Sequence, residues 1–438
     1  MSLYNKIYRA YNINTNICSK RGDIVNKVIL HCDLNNFYAS VECLYNPDLR
    51  HRPVAVCGCA EDRHGIVLAK NYIAKGFGVR TGEATWEAKN KCPGLVTVRP
   101  NYSLYLKFSK EAREIYQYYT DRIEAFGIDE CWMDVSESVR LFGDGSQIAD
   151  NIRNRIRNEL GITASVGVSY NKIFAKLGSD MNKPDATTII TEENFKDMVW
   201  KLPVSDLLYV GRASKVKLNN LAIFTIGDLA NSSVKFLTKQ LGKWGNTLWN
   251  FANGYDFTSV ARIDYESAVK GIGNSLTTPR DLTSNNDVRV LIYVLSESIG
   301  KRLRNYNFKG RTVQITIKDV DLRSIDRQGQ LDSHTYITSE IAQKAYEIFK
   351  KSWDWPKKIR AFGVRVTDLI TSDTYTQMSL FLDENRRQKL EMLDVCVDKL
   401  RERFGHYSVQ RAVVLEDEAL NANPSEDNII FPVSYFKR

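Results

Sequence analysis

Long apolar runs are missing from this sequence. No stretch of its 438 residues approaches the roughly 18 consecutive apolar positions of a membrane-spanning helix, so a soluble protein is expected. The first residues, MSLYNKIYRAYNINTNICSKRGD, hold no apolar core followed by small residues, which argues against a secretory leader and for a cytoplasmic address. Cysteine is sparse and scattered: Cys18, Cys32, Cys43, Cys57, Cys59, Cys92, Cys131 and Cys396. A single glycine separates Cys57 from Cys59, too tight for the CxxC spacing of zinc and thiol-redox sites, so reduced structural thiols are expected. No internal repeat is evident.

What is present suits a globular chain of roughly two to four domains, 43% hydrophobic and 26% charged. The formal net charge is +9. Residues 261–370 hold 19 Lys/Arg against 13 Asp/Glu, which concentrates the excess in a quarter of the chain and marks a candidate nucleic-acid surface.

KVILHCDL (27–34) is an apolar run with β-branched residues, followed by NNFYASVECLYN at helical spacing, hence strand then helix. RPVAVCGC (52–59) predicts a strand, and HGIVLAKNYIAKGFG (64–78) a strand leading into a helix. RIEAFGIDECWMDVS (122–136) reads as two strands about a tight turn from Gly127 to Glu130, and GSQIADNIRNRIRNEL (145–160) as an amphipathic helix. ITASVGVSY (162–170) and NKIFAKLGSDM (171–181) add a strand and a helix, completing the order of a ferredoxin-like split βαβ. After Pro203 the pattern is helical, and LYVGRASKVKLNNLAIFTIGDLA (208–230) resembles a helix-hairpin-helix module, which holds phosphate with turn amides; an ordinary helix turn fits as well. Residues 253–271 read as a linker, and KGIGNSLTT, RTVQITIKDV and KIRAFGVRVTDLI, interleaved with helices near 285–306 and 339–351, as a second α+β unit.

Asp33 ends the first strand, and Asp129 and Glu130 sit in the hairpin turn, so a split-βαβ sheet brings three carboxylates to neighbouring strand ends. Such a group repels itself. Either the pKa values rise or divalent cations neutralise it, and Mg²⁺, which takes hard oxygen ligands and phosphate oxygens, suits nucleotidyl transfer. Two turn residues at a hairpin tip would fit the decapeptide GIDECWMDVS equally well.

The companion motifs favour the metal reading. DLNNFYASVE (33–42), LAKNYIAKGFGVRTG (68–82), GIDECWMDVS (127–136) and SVGVSYNKIFAKLGSDMNKP (165–184), in this order, resemble the Y-family, or translesion, DNA polymerases, nearest the bacterial DinB/UmuC group, over about residues 27–381. The resemblance implies an α+β multidomain right hand. Its parts are a palm (27–49 and 101–185), fingers (50–100), a helix-hairpin-helix-type thumb (186–253), a linker (254–266) and a βαββαβ little finger (267–370). A 1–26 extension precedes these and a 371–438 tail follows.

It also implies the site. Asp33, Asp129 and Glu130 are the expected catalytic acids, holding two Mg²⁺ ions with the Leu34 carbonyl, and Mn²⁺ is expected to substitute. Tyr72, Lys75 and Lys183 match triphosphate-binding positions, although the family more often carries Arg where Lys75 stands, and solvated helix charges are the lesser alternative for Lys75 and Lys183. Tyr38 falls at the steric gate against a 2′-OH, with Phe37 beside it the core residue; Ile66, Leu68 and Ala69 match the roof over the nascent base pair. Gly211 and Arg212 would meet the DNA backbone, and Tyr209, standing where a GxG hairpin has its first glycine, predicts a reshaped thumb turn.

QMSLF (377–381) resembles the peptide that docks on the bacterial sliding clamp, with Gln377 polar and Met378, Leu380 and Phe381 apolar anchors. The expected partners are therefore primer-template DNA, dNTPs and that clamp, for a monomer that serves damage tolerance in an SOS-type response. No proofreading exonuclease motif is recognisable, so low fidelity is expected. Nucleotidyl cyclases also set paired acids on a palm-like sheet but need neither a basic domain nor a clamp peptide, and an accessory DNA-binding subunit would not need the acids.

Overall fold

The computed structural model describes residues 27–58, 65–265, 268–374 and 383–423. The expected clamp-binding residues Gln377, Met378, Leu380 and Phe381 and the 1–26 extension lie outside them. The strands are β1 (Ile29–Leu34), β2 (Val54–Cys57), β3 (Val67–Lys70), β4 (Val96–Val98), β5 (Ile123–Ala125), β6 (Glu130–Asp134), β7 (Ala164–Ser169), β8 (Thr187–Ile190), β9 (Gly271–Leu282), β10 (Phe308–Asp319), β11 (Ser324–Thr335) and β12 (Ile359–Thr371). The described residues divide into two compact units, one of those up to Asn35 and from Lys107 to Ile263, the other of those from Asn36 to Leu106 and from Asp264 onward.

The first unit is built on a sheet of order β5-β6-β1-β7-β8. β1 is central and antiparallel to both β6 and β7, while β7 and β8 run parallel. All six residues of β1 are buried, which explains why the strand reads as a continuous run rather than an alternation. The helix Lys172–Met181 lies on this sheet, capped by Asn171, whose side chain accepts the Phe174 N–H at 2.8 Å. Its approach to the sheet depends on glycine: a Cβ at Gly167 in β7 would overlap the Ala175 carbonyl and the Ser179 amide. Beyond β8 an all-helical segment closes over its own core of Val199, Leu207, Leu218, Leu229, Leu237 and Leu248, which Phe174 and Leu177 extend.

The turn before the helix Arg212–Asn220 carries an unusual backbone. Tyr209 takes the left-handed conformation, φ 71°, at the position where a GxG hairpin has its first glycine. That geometry costs a residue with a Cβ about 1–2 kcal/mol. Ring contacts with Trp244 at 5.6 Å and Phe251 at 6.2 Å accompany it. The segment read as a linker is also tied down along its middle. Val260 is buried against Ile29 and Trp132, Glu124 accepts the Ala261 N–H at 3.0 Å, and the Ile263 N–H donates to the Asp121 carbonyl.

The second unit contains a small sheet of order β3-β2-β4 over a core of Ala55, Val67, Ala74, Val79, Ala88 and Leu95. It also contains an antiparallel sheet of order β11-β10-β12-β9, with the helices Asn285–Asn305 and Thr338–Ser352 on one face, the expected βαββαβ succession. Its core draws in Val414 and Leu420 from the stretch read as a tail. The helix Glu384–Phe404 joins it through ions: Arg304 to Asp394 and Asp398, Arg401 to Glu297, and Arg411 to Glu297 and Asp394. Part of the basic excess of 261–370 is therefore neutralised inside the unit.

The glycine contact under the Lys172–Met181 helix carries a test. Gly167→Ala is expected to lift that helix and destabilise the protein by about 1–3 kcal/mol, measured by denaturant titration. An unchanged midpoint would mean that the helix does not rest on this glycine.

Candidate active site

β1 and β6 are registered so that Asp33 stands opposite Glu130, and the Leu34 N–H donates to the Asp129 carbonyl at 3.1 Å. The three predicted acids therefore meet at one end of two hydrogen-bonded strands. One detail is corrected: Glu130 is not in the turn but begins β6, because the Phe126 N–H donates to its carbonyl and closes the hairpin one residue earlier. Gly127 makes the turn at φ 95°, and a Cβ there would come within 3.5 Å of Asp129 Oδ1. The helix Tyr102–Gln117 holds the turn from behind. Ser109 Oγ donates to the Ile128 carbonyl, and Arg113 Nη2 to the Gly127 carbonyl at 3.3 Å.

The acids face lysines. Lys183 Nζ lies 2.7 Å from Asp33 Oδ2 and 2.8 Å from Asp180 Oδ1. Lys176, which the sequence reading did not single out, places its Nζ 2.8 Å from Glu130 Oε2, 3.3 Å from Asp180 Oδ2 and 3.9 Å from Asp33 Oδ2. Residues 176 and 180 are one helical turn apart, and that i,i+4 pair is the local trace the sequence offered, with nothing in it to place the helix over the acids.

Burial pushes the Asp33 carboxyl up to about 7, with Glu130 and Asp129 adding to the push against Lys183. Burial, then Glu130, carries Asp129 up to about 6. Burial acts the same way on Glu130, but His31 and Lys176 overcome it and hold the carboxyl at about 2. His31 is lowered to about 4, chiefly by burial, so its ring is neutral at neutral pH. The site is thus an acid cluster under charge stress.

Among the described residues no three His, Cys, Asp or Glu side chains are gathered into a ready cation cage. The donors still suit a hard divalent cation: Asp33, Asp129 and Glu130 offer only oxygen, and two of the three are held well above the usual carboxylate range, a state that a bound cation relieves.

The remaining predicted residues of the second unit are placed within it. Phe37 is buried, as expected of a core ring, while half-buried Tyr38 lies flat on Tyr105, centroids 4.3 Å apart and planes 9° from parallel. Leu68 and Ala69 lie on β3, and Ile66, 44% exposed, bridges to Ala84. Tyr72 and Lys75 share the helix Tyr72–Gly76, with the ammonium 5.5 Å from the ring centre, and Asn71 caps that helix and also accepts the Val54 N–H. In the first unit Gly211 and Arg212, both exposed, form the N-terminal edge of the helix Arg212–Asn220.

Residues 32–180 match the impB/mucB/samB family, 269–380 that family's C-terminal domain, and 205–256 the thumb domain of DNA polymerase-iota. A DNA polymerase IV of Acetivibrio thermocellus is 70% identical over 395 residues, spanning 90% of this chain and 99% of that protein. DNA polymerase IV of Clostridium acetobutylicum is 36% identical over 400 residues, spanning 90% and 100%. A solved Y-family DNA polymerase chimera of Dbh and Dpo4 shares the fold, with TM-score 0.69 at 24% identity, covering 78% of this chain and 99% of its own. The chain belongs to the Y family of DNA polymerases, in the DinB-like group.

The raised Asp33 pKa fixes a sign. Between the ordinary value of 3.8 and about 7 the folded state binds more protons than the unfolded, so Asp33 costs stability progressively as pH rises through this window. Each pH unit of that window is worth about 1.4 kcal/mol. In chelator, Asp33→Asn is therefore expected to raise the melting temperature by several degrees above pH 7, and by less near pH 5. A destabilised variant at high pH would show that Lys183 already satisfies this carboxylate.

Proposed function

We propose that this chain is a template-directed DNA polymerase of the translesion type, adding dNMP from dNTP to a primer 3′-OH at Asp33, Asp129 and Glu130. The observation that carries this reading is the pairing of Asp33 with Glu130, beside Asp129, on a split-βαβ sheet of a Y-family member. Asp33 and Asp129, with the Leu34 carbonyl and Glu130, would hold two divalent cations, Mg²⁺ or in its place Mn²⁺, which supply Lewis acidity to the primer hydroxyl and the triphosphate.

The chain's own groups do the rest. Lys183, now paired with Asp33 and Asp180, exchanges these carboxylates for triphosphate oxygens, joined by Tyr72 and the point charge of Lys75. The primer 3′-hydroxyl gives up its proton to solvent, its oxygen bonds to the α-phosphorus as the bridging bond to the β-phosphorus breaks, and pyrophosphate leaves. Tyr38, its ring plane fixed by Tyr105, is the gate against ribose; Phe37 supports it, and Ile66, Leu68 and Ala69 cover the new base pair. Gly211 and Arg212 meet the DNA backbone. Palm, fingers, thumb and little finger follow the boundaries given above. The protein acts as a cytoplasmic monomer in an SOS-type damage response, without proofreading and at low fidelity. It is recruited by the bacterial sliding clamp through Gln377, Met378, Leu380 and Phe381.

Primer extension tests the assignment. Asp129→Ala or Glu130→Ala is expected to lower incorporation at least about a hundredfold, since each loses several kcal/mol of transition-state charge stabilisation, with primer-template affinity largely kept. Normal turnover in either variant would remove the acids from the site. Tyr38→Ala is expected to raise the rNTP-to-dNTP ratio of kcat/KM; an unchanged ratio would move the gate to Phe37.

A further inference from the structure

His31 was not among the predicted site residues, yet it occupies the floor of the acid cluster. It precedes Asp33 by two positions on β1 and so projects to the same face of the sheet. The side chain is fully buried. Its Nδ1 lies 2.8 Å from Ser179 Oγ, and Ser179, also fully buried, belongs to the Lys172–Met181 helix that supplies Lys176. Its Nε2 lies 3.4 Å from Glu130 Oε2, and the edge-on ring of Trp132, centroids 5.2 Å apart, fixes the imidazole from the side.

The hydroxyl decides what the ring presents to the acid. A neutral imidazole carries one proton. When Ser179 donates to Nδ1, the ring proton must sit on Nε2, on the side of the ring that faces Glu130. When Ser179 instead donates to the Lys176 carbonyl, 2.8 Å away, Nδ1 takes the proton and two acceptors face each other across 3.4 Å in a buried site. His31 Nε2 and Glu130 Oε2 are buried and make no well-formed hydrogen bond in this structure, and of the two neutral arrangements only the first sets a donor opposite the carboxylate. We infer that Ser179 and His31 form a positioning pair, in which the hydroxyl sets the Nε2–H tautomer and the ring aims the Glu130 carboxylate at the cation site. Lys176, on a flexible stem and shared with Asp180, neutralises the same carboxylate without fixing its direction.

This inference rests on the acids being the cation site proposed above, and its tests separate the two. Ring ¹⁵N shifts of chelated wild-type protein should report the Nε2–H tautomer for His31; the Nδ1–H tautomer would overturn the inference. Mn²⁺ binding, followed by electron paramagnetic resonance in the presence of primer-template and dNTP, should weaken about 10- to 100-fold in His31→Phe, the range found for partners that orient metal ligands. Ser179→Ala, which removes a single oxygen, should weaken it in the same direction while leaving the melting temperature nearly unchanged, and carries the test if His31→Phe does not fold. Native Mn²⁺ affinity in folded variants would make His31 a packing residue only and overturn the inference. Wild-type protein that extends no primer and shows no Mn²⁺ site would instead fail the polymerase reading, whatever the variants do.

Discussion

Three carboxylates at the ends of two paired strands repel one another, and the rest of the first unit is arranged around that repulsion. The register of β1 and β6 sets Asp33 against Glu130, while a glycine turn, held by Ser109 and Arg113, brings Asp129 beside them. None of this is favourable in itself. Two of the three acids are pushed well above the usual carboxylate range, and the third stays ionised only because Lys176 and His31 are placed on it.

The compensation comes from one helix. Lys172–Met181 is short, capped by Asn171 and pressed onto β7 where Gly167 has no side chain, and it carries Lys176, Ser179 and Asp180 over the acids, with Lys183 just beyond its end. Lysine contacts to these acids are exchangeable: an ammonium on a flexible stem holds one carboxylate or one phosphate oxygen as a point charge. That property suits the exchange proposed above for Lys183. The buried His31 and Ser179 are the rigid part of the same arrangement.

Much of this was legible in the sequence. The strand-helix order, the hairpin and all three acids could be read from apolar runs and four ordered motifs, because central strands are buried on both faces and turns declare themselves through glycine. The exact start of β6 could not, since one backbone hydrogen bond from Phe126 decides whether Glu130 belongs to turn or strand. Lys176 and His31 were missed for different reasons. Lys176 looks like any helix-surface lysine until the helix is docked, and His31 lies in an apolar run where a single polar residue gives no period of its own. The φ of 71° at Tyr209 left no local trace, since tyrosine does not mark a left-handed turn and its ring contacts are with residues more than thirty positions away. The helix Glu384–Phe404 was visible as a charged segment, but its ion pairs to Glu297 and Arg304 are long-range and leave no local trace.

If these acids are kept together to hold divalent cations for nucleotidyl transfer, the lysines on them are exchangeable occupants. Anomalous diffraction from crystals of the protein with primer-template, a non-hydrolysable dNTP analogue and Mn²⁺ would show both at once. Manganese peaks are expected against the carboxylates of Asp33 and Asp129, with Lys183 moved from Asp33 to the triphosphate. Manganese elsewhere, with Lys183 and Lys176 still on Asp33 and Glu130, would contradict the assignment of these acids as the cation site.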